Sequence, residues 1–317
     1  MSTVPNIKRS IIIDTDPGQD DAVAILAALA SRDELNVAAI TTVAGNVPID
    51  KVTNNALALV ELANRPEVPV YRGCVRPMVN RLVTAEYVHG PTGLDGADLP
   101  PPRLEPAPGH AVDRIVELVN SRSEPTTICT LGPMTNVAMA LVKEPTIAEK
   151  IDQIVSMGGG FFEGGNTTPA AEFNIYVDPH AAHVIFTSGI PIVLMPLDVT
   201  HQALTTPERL QRFRDLGTPA GDAVTGMLGF YDRHDKVKYG LVGGPLHDPT
   251  VIAYLLSPEL FGGKEVPVEI ETAPGPTQGM TLVDWWGVTD SDPNATVMNE
   301  IDDDGFYDLL VELIGRL

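Results

Sequence analysis

The chain has 317 residues, 44% of them hydrophobic, and carries 42 Asp and Glu against 21 Lys and Arg, a formal net charge of -21. That balance excludes nucleic acid or an anionic membrane surface as an expected partner, since both need clustered Lys and Arg. No apolar run approaches the roughly 18 residues of a membrane helix, and the opening "MSTVPNIKRS" lacks the hydrophobic core of a signal peptide, so a soluble, cytoplasmic protein is expected.

The predicted elements alternate. Short β-branched runs, "SIIID" (10 to 14), "LNVAAITTVA" (35 to 44), "VPVYRG" (68 to 73), "TTICTL" (126 to 131), "IDQIVSM" (151 to 157) and "PIVLMPL" (191 to 197), each precede a loop and then an amphipathic stretch. This is the pattern of an α/β, Rossmann-like fold with a mostly parallel central sheet flanked by helices. Continuous apolar runs suit strands buried on both faces. Residues 73 to 109, rich in Pro and Gly, read as a long excursion over the surface, and 217 to 247 as a helix followed by a Gly-rich loop; either segment has the length of a lid. "VPVEIET", "TLVDWW" and "ATVMNEI" read as a few antiparallel edge strands before a closing helix. Aliphatic runs from end to end lead us to expect one domain over 1–317, although a prior of about 150 residues per domain would give two. Cys74 and Cys129 stand far apart without a CxxC, and Cys129 reads as a buried thiol.

In such a sheet, ligands sit outside the carboxyl ends of the strands. Polar clusters fall there repeatedly: "DTDPGQDD" (14 to 21), "AGN" (44 to 46), "LGPMTN" (131 to 136) and "GGGFFEGGNTTPAAEFN" (158 to 174). Pro17 and Gly18 mark a turn before the helix-favouring "AVAILAALA", which puts Asp20 and Asp21 at a helix N-terminus. A helix dipole favours a carboxylate there by only about 0.3 to 1 kcal/mol. Four aspartates, Asp14, Asp16, Asp20 and Asp21, exceed what a cap needs, and their mutual repulsion calls for a cation. All-oxygen ligands point to Ca²⁺ or Mg²⁺. An EF-hand register from Asp14 fails, because Gly18 falls at position five and Ile25 where the bidentate Glu belongs. A DxDx(T/V) phosphatase pattern fails at Gly18.

"DTDPGQDDA" resembles the N-terminal signature DxDPGxDDA of the inosine-uridine-type nucleoside hydrolases, and "AGN", "LGPMTN", "MGGG" (157 to 160), "GNTTPAAEFN" (165 to 174) and "HDP" (247 to 249) follow in family order. The resemblance implies hydrolysis of the N-glycosidic bond of ribonucleosides in nucleoside salvage, with one Ca²⁺ per site and a homodimer or homotetramer. It implies metal ligands at Asp16, Asp21, Asp248 and the Leu131 carbonyl, a general base at Asp20, and supporting contacts from Asp14. By the same resemblance, Asn46, Asn166, Glu172 and Asn174 would bind ribose, and His247 would protonate the leaving base. Met157 and Phe173 are similar to residues that line the sugar and base pocket. That histidine, together with tryptophans confined to Trp285 and Trp286 in an expected late strand, is unlike the purine-specific branch, so a pyrimidine or broad inosine and uridine range is expected.

His89, Tyr231 and Tyr239 are further candidates for the base pocket. "HAAH" (His180, His183) has helical spacing but no third soft ligand nearby, and Asp198 and His201 of "PLDVTH" are read as structural. "MGGGFF" is not a dinucleotide loop, since a GxGxxG register from Gly158 ends on Glu163. Two alternatives stand beside hydrolysis: a metal-dependent aspartyl phosphatase, and a non-catalytic ribose- or nucleoside-binding protein. The motif positions carry no Lys or Arg to pair a phosphate, and a pure binder needs neither Asp20 nor His247.

Overall fold

The computed structural model describes residues 8–122, 124–239 and 242–317, without the side chains of 232–239. Its strands are β1 (Arg9–Thr15), β2 (Leu35–Thr42), β3 (Val70–Arg72), β4 (Thr126–Thr130), β5 (Ile151–Met157), β6 (Ile192–Met195), β7 (Phe261–Val266), β8 (Val268–Ile270), β9 (Thr281–Val283) and β10 (Ala295–Ile301). Eight of them form one sheet in the order β3-β2-β1-β4-β5-β6-β10-β7, parallel throughout except for the pairing of β10 with β7.

The six apolar runs of the first two-thirds of the chain all become parallel strands. Ile11, Ile12 and Ile13 show why: all three are fully buried, but Ile11 and Ile13 join the core on one face of the sheet and Ile12 the core on the other. Side chains alternate along a strand, so a strand covered on both faces has to be apolar at every position.

The helices are α1 (Gln19–Ala30), α2 (Ile49–Leu62), α3 (Glu86–His89), α4 (Ala111–Ser121), α5 (Thr135–Lys143), α6 (Phe173–Val177), α7 (Pro179–Phe186), α8 (Leu197–Thr200), α9 (Pro207–Arg214), α10 (Pro219–Tyr239), α11 (Pro249–Leu256) and α12 (Asp303–Gly315). Every residue of α1 is buried. Its alanines let α2, α10, α11 and α12 pack around it, which fixes the direction of its N-terminus.

The late strands differ from expectation. β10 lies inside the sheet, parallel to β6, while β8 and β9 pair with each other in a separate two-stranded sheet. The edge is β7, "FGGKEV", which sequence patterning passes over because glycine is a poor strand former. Gly263 is required there, since a Cβ would lie 2.4 Å from the Val297 carbonyl. Trp285 and Trp286 fall in a turn just past β9 and not in a strand.

Strand order reverses between β1 and β4, where the chain winds outward on both sides, and a crevice opens at such a point beyond the strand ends. The Leu131 N–H donates to the Asp14 carbonyl at 2.8 Å, which carries the β1 and β4 ends side by side into that crevice.

Candidate active site

The turn after β1 delivers its aspartates to the start of α1. Asp21 acts as a cap: its Oδ2 accepts the Gly18 N–H at 2.9 Å and the Asn46 Nδ2 at 3.2 Å, while Oδ1 accepts the Thr15 hydroxyl at 2.5 Å and the Asp16 N–H at 3.3 Å. Asp14 lies one step deeper, its Oδ1 held by the Thr41 hydroxyl at 2.6 Å and by Asn136 Nδ2 at 2.8 Å. Asp14 is thus tied to β2 and α5 and does not line the pocket above it. Burial pushes the Asp14 carboxyl up to about 7.

Asp20, Asp21 and Asp248 bring carboxylate oxygens within 4.8 Å of one another, all three buried. Among the described residues this is the one such grouping of three or more His, Cys, Asp or Glu side chains, and "HAAH" on α7 forms none. Asp16 lies beside the trio, near enough for its charge to act on Asp248. Its Oδ2 accepts the Asn46 N–H at 2.7 Å, whereas its fully buried Oδ1 has no hydrogen-bond partner. Backbone closes over both oxygens, because a Cβ on Gly45 would fall 2.0 Å from Oδ2 and one on Gly132 2.1 Å from Oδ1.

The chemistry of this cluster fits a cation. Burial, then the charges of neighbouring aspartates, hold Asp16 and Asp248 well above the ordinary carboxylate range. Asp21 and Asp248 lie close enough for each carboxyl to act on the other. An orphaned, buried carboxylate oxygen next to three crowded carboxylates fits a hard divalent ion, which would satisfy Oδ1 and offset the repulsion. Asp20, Asp21 and Asp248 could hold it, with Asp16 and the Leu131 carbonyl as the further oxygens that the sequence analysis expects. The Leu131 carbonyl also accepts from Asn174 Nδ2 at 2.7 Å, leaving its second lone pair.

Above the carboxylates is a pocket onto which the loops after β1, β2, β4 and β5 converge, and every described side chain expected to bind substrate lines it. Asp20, Asn46, Leu131, Asn174 and Asp248 border it on the acidic side. Asn46 and Asn174 reach it as links between loops: Asn174 Nδ2 also donates to the Met157 carbonyl at 3.3 Å. Glu172 is placed by its backbone partners, accepting the N–H groups of Gly159, Asn174 and Ile175 at 2.9, 3.0 and 3.2 Å, so it caps α6. Burial still pushes it up to about 7. Asn166 Oδ1 accepts the Phe173 N–H at 3.0 Å. Met157 and Phe173 are both buried and both line the pocket.

His89 and Tyr231 border the pocket too, their rings 5.6 Å apart. Gln19 steadies His89, with its Oε1 2.7 Å from Nδ1 and its Nε2 donating to the His89 carbonyl at 2.9 Å. The Tyr239 side chain lies outside the described residues. His247 Nδ1 is 2.7 Å from the Thr200 hydroxyl. Burial, followed by nearby His201 and His89, holds its imidazole well below the ordinary value.

One sequence reading needs revision, and one residue was missed. Asp198 is structural as expected, accepting three backbone N–H groups from residues 161 to 163, but His201 lines the pocket. Tyr87 does so as well, and was not singled out. The rule that ligands gather at strand ends also applies to β6, and would have found His201. Trp285 and Trp286 take no part in the pocket.

The sequence profile described as "Inosine-uridine preferring nucleoside hydrolase" matches residues 11–308. An uncharacterized protein of Schizosaccharomyces pombe is 50% identical over 97% of this chain and 99% of its own length. The pyrimidine-specific ribonucleoside hydrolase RihA of Salmonella typhi is 49% identical over 95% of this chain and 97% of its own. Among solved structures, a plant nucleoside hydrolase, the PpNRh1 enzyme, superposes with a TM-score of 0.90 at 36% identity, covering 96% of this chain and 98% of that one. The purine-preferring ribonucleoside hydrolase of Gardnerella vaginalis does so with a TM-score of 0.89 at 33% identity, covering 97% and 98%. Matched along nearly its whole length by profile, sequence and structure, the chain belongs to the inosine-uridine preferring nucleoside hydrolase family.

Proposed function

We propose that this protein hydrolyses the N-glycosidic bond of ribonucleosides to ribose and a free base, in nucleoside salvage, with Ca²⁺ held by Asp16, Asp21, Asp248 and the Leu131 carbonyl. The observation that carries this reading is the pocket's composition. Buried Asp20 and Asp248 line it with Asp21 close beside them, amides and aromatic or imidazole rings line it too, and no Lys or Arg is among the described residues lining it. Ribosyl transfer builds positive charge on the sugar, which carboxylates stabilise. A phosphate would enter with nothing to pair it, which disfavours the phosphatase alternative.

Bound there, the cation would acidify a water molecule and anchor sugar hydroxyls. Asp20, on the pocket wall, accepts the proton as the water oxygen bonds to C1′. The bond from C1′ to the base nitrogen breaks, and its electron pair stays with the base. His247 serves the base side: with the Thr200 hydroxyl donating to Nδ1, the Nε2 hydrogen faces the departing base and stabilises the charge developing on it by a hydrogen bond, while the base takes up its proton from solvent. Asn46, Asn166, Glu172 and Asn174 hold the ribose.

Pyrimidine nucleosides are the proposed preference. The RihA relatives at 49% identity are named pyrimidine-specific, and neither tryptophan is in the pocket to stack on a purine. We further propose a homodimer or homotetramer. Free base and reducing sugar should appear from uridine and cytidine faster than from inosine, stop with EDTA and return with Ca²⁺. Phosphate release from nucleotides without free base, or tight nucleoside binding without turnover in calcium-replete protein, would select the alternatives.

A further inference from the structure

His201 borders the pocket with its ring 5.8 Å from that of His247, and a contact of its own holds it there. Its Nδ1 lies 3.1 Å from Glu163 Oε2. A carboxylate accepts and does not donate, so Nδ1 carries hydrogen and Nε2 is the ring atom left to meet a ligand. Glu163 reaches this position because the loop after β5 is folded back onto α8. The Asp198 carboxylate accepts the N–H groups of Phe161, Phe162 and Glu163 at 2.9, 2.8 and 3.0 Å. Gly160 permits the fold, since a Cβ there would lie 2.2 Å from the Gly164 carbonyl.

Two connections therefore join the same loop to the same helix. Asp198 alone suffices to close the loop, with three hydrogen bonds from buried ground. The Glu163 and His201 side chains are 50% and 32% exposed, and a pair so placed contributes little to stability. What the second connection does supply is a fixed imidazole at the pocket, next to His247.

We propose that His201 contacts the base of the bound nucleoside through Nε2 and sets its orientation, with Glu163 as the positioning residue that fixes the ring. This rests on the nucleoside hydrolase reading above and adds a base-recognition residue to it. The chemistry fits a heteroaromatic base that offers a carbonyl oxygen or a ring N–H at its edge, while the sugar is met by the amides and carboxylates.

Uridine, inosine and 4-nitrophenyl β-riboside separate the roles, because 4-nitrophenolate departs without a base-shaped contact. His201→Ala should lower kcat/KM on uridine by about tenfold, the worth of one hydrogen bond, chiefly through KM. Glu163→Gln should lower it severalfold, and Glu163→Asp should fall between Gln and wild type. Each loss should be at least five times smaller on the nitrophenyl riboside, and the ratio of uridine to inosine turnover should change. Unaltered kcat/KM and ratio in His201→Ala and Glu163→Gln would overturn the proposal, as would equal losses on all three substrates, which mark a structural role. Wild-type protein releasing neither uracil nor 4-nitrophenolate would overturn the hydrolase reading itself and this inference with it.

Discussion

The Thr200 hydroxyl and His247 Nδ1 lie 2.7 Å apart and buried, joining the helix after β6 to the residue before Asp248. His247 is held well below its ordinary pKa by burial and by two neighbouring imidazoles, so it is neutral at pH 7 and its tautomer matters. Thr200→Val keeps the shape and removes the hydrogen bond. We expect it to lower kcat on uridine about tenfold with unchanged Ca²⁺ affinity, and His247→Ala to lower kcat by about 10² to 10⁴. Steady-state kinetics beside calcium calorimetry make the comparison; equal kcat in Thr200→Val and wild type would show that the tautomer is not set this way.

Stability should depend on pH and calcium together. Burial holds Asp14 and Glu172 up to about 7, and burial with neighbouring charge holds Asp16 and Asp248 above the usual range. In the unfolded chain such carboxyls ionise near pH 4. Between about pH 4 and 7 the cation-free folded protein therefore keeps protons that the unfolded chain has released, and the stability from these groups fades as pH rises through 7. Cation binding needs the ionised forms and runs the other way. The Tm in EDTA should fall from pH 5.5 to pH 8, and the gain in Tm on adding Ca²⁺ should be larger at pH 8. A Tm in EDTA that climbs over that range would contradict the assignment.

Much of this site was legible because it obeys local rules. The six parallel strands announce themselves by unbroken apolar runs such as Ile11 to Ile13, and the excess of aspartate after β1 has no meaning as a cap alone. What escaped depends on packing between distant segments. β7 is a strand only because β10 lies beside it and leaves no room for side chains at Gly263. His201 reads as structural until Glu163, 38 residues away, is seen at its ring. Glu172 shows the opposite: its residue type and motif suggest ribose, yet its oxygens also hold three backbone N–H groups that no spacing displays.

Gly132 offers a test of the cation site that leaves every carboxylate in place. A Cβ there would meet Asp16 Oδ1 at 2.1 Å and the Asp16 backbone nitrogen at 3.2 Å, so the carboxyl must move. Overpacking of this kind costs about 1 to 3 kcal/mol. Gly132→Ala should weaken Ca²⁺ binding at least tenfold in calorimetry and lower Tm. Gly275→Ala, where nothing lies within 4 Å, should change neither. Wild-type affinity in Gly132→Ala would mean that Asp16 Oδ1 is not a ligand.

The proposed division of labour between Asp16 and Asp20 rests on where their side chains lie. Asp20 borders the pocket, where a water attacking the sugar has to be, whereas Asp16 is fully buried beneath Gly45 and Gly132 and does not line the pocket. An Asn in either position preserves shape and removes the capacity to accept a proton. With Asp20 as base, Asp20→Asn should lose about 10² to 10⁴ in kcat at saturating Ca²⁺ and keep measurable calcium binding, while Asp16→Asn should lose calcium affinity first and recover much of its turnover as Ca²⁺ is raised. The reverse pattern, with Asp16→Asn inactive at saturating Ca²⁺ and Asp20→Asn changed mainly in KM, would move the base to Asp16 and leave Asp20 to ribose or to the cation. Calorimetry to fix saturation, followed by kcat on uridine for both variants, distinguishes the two.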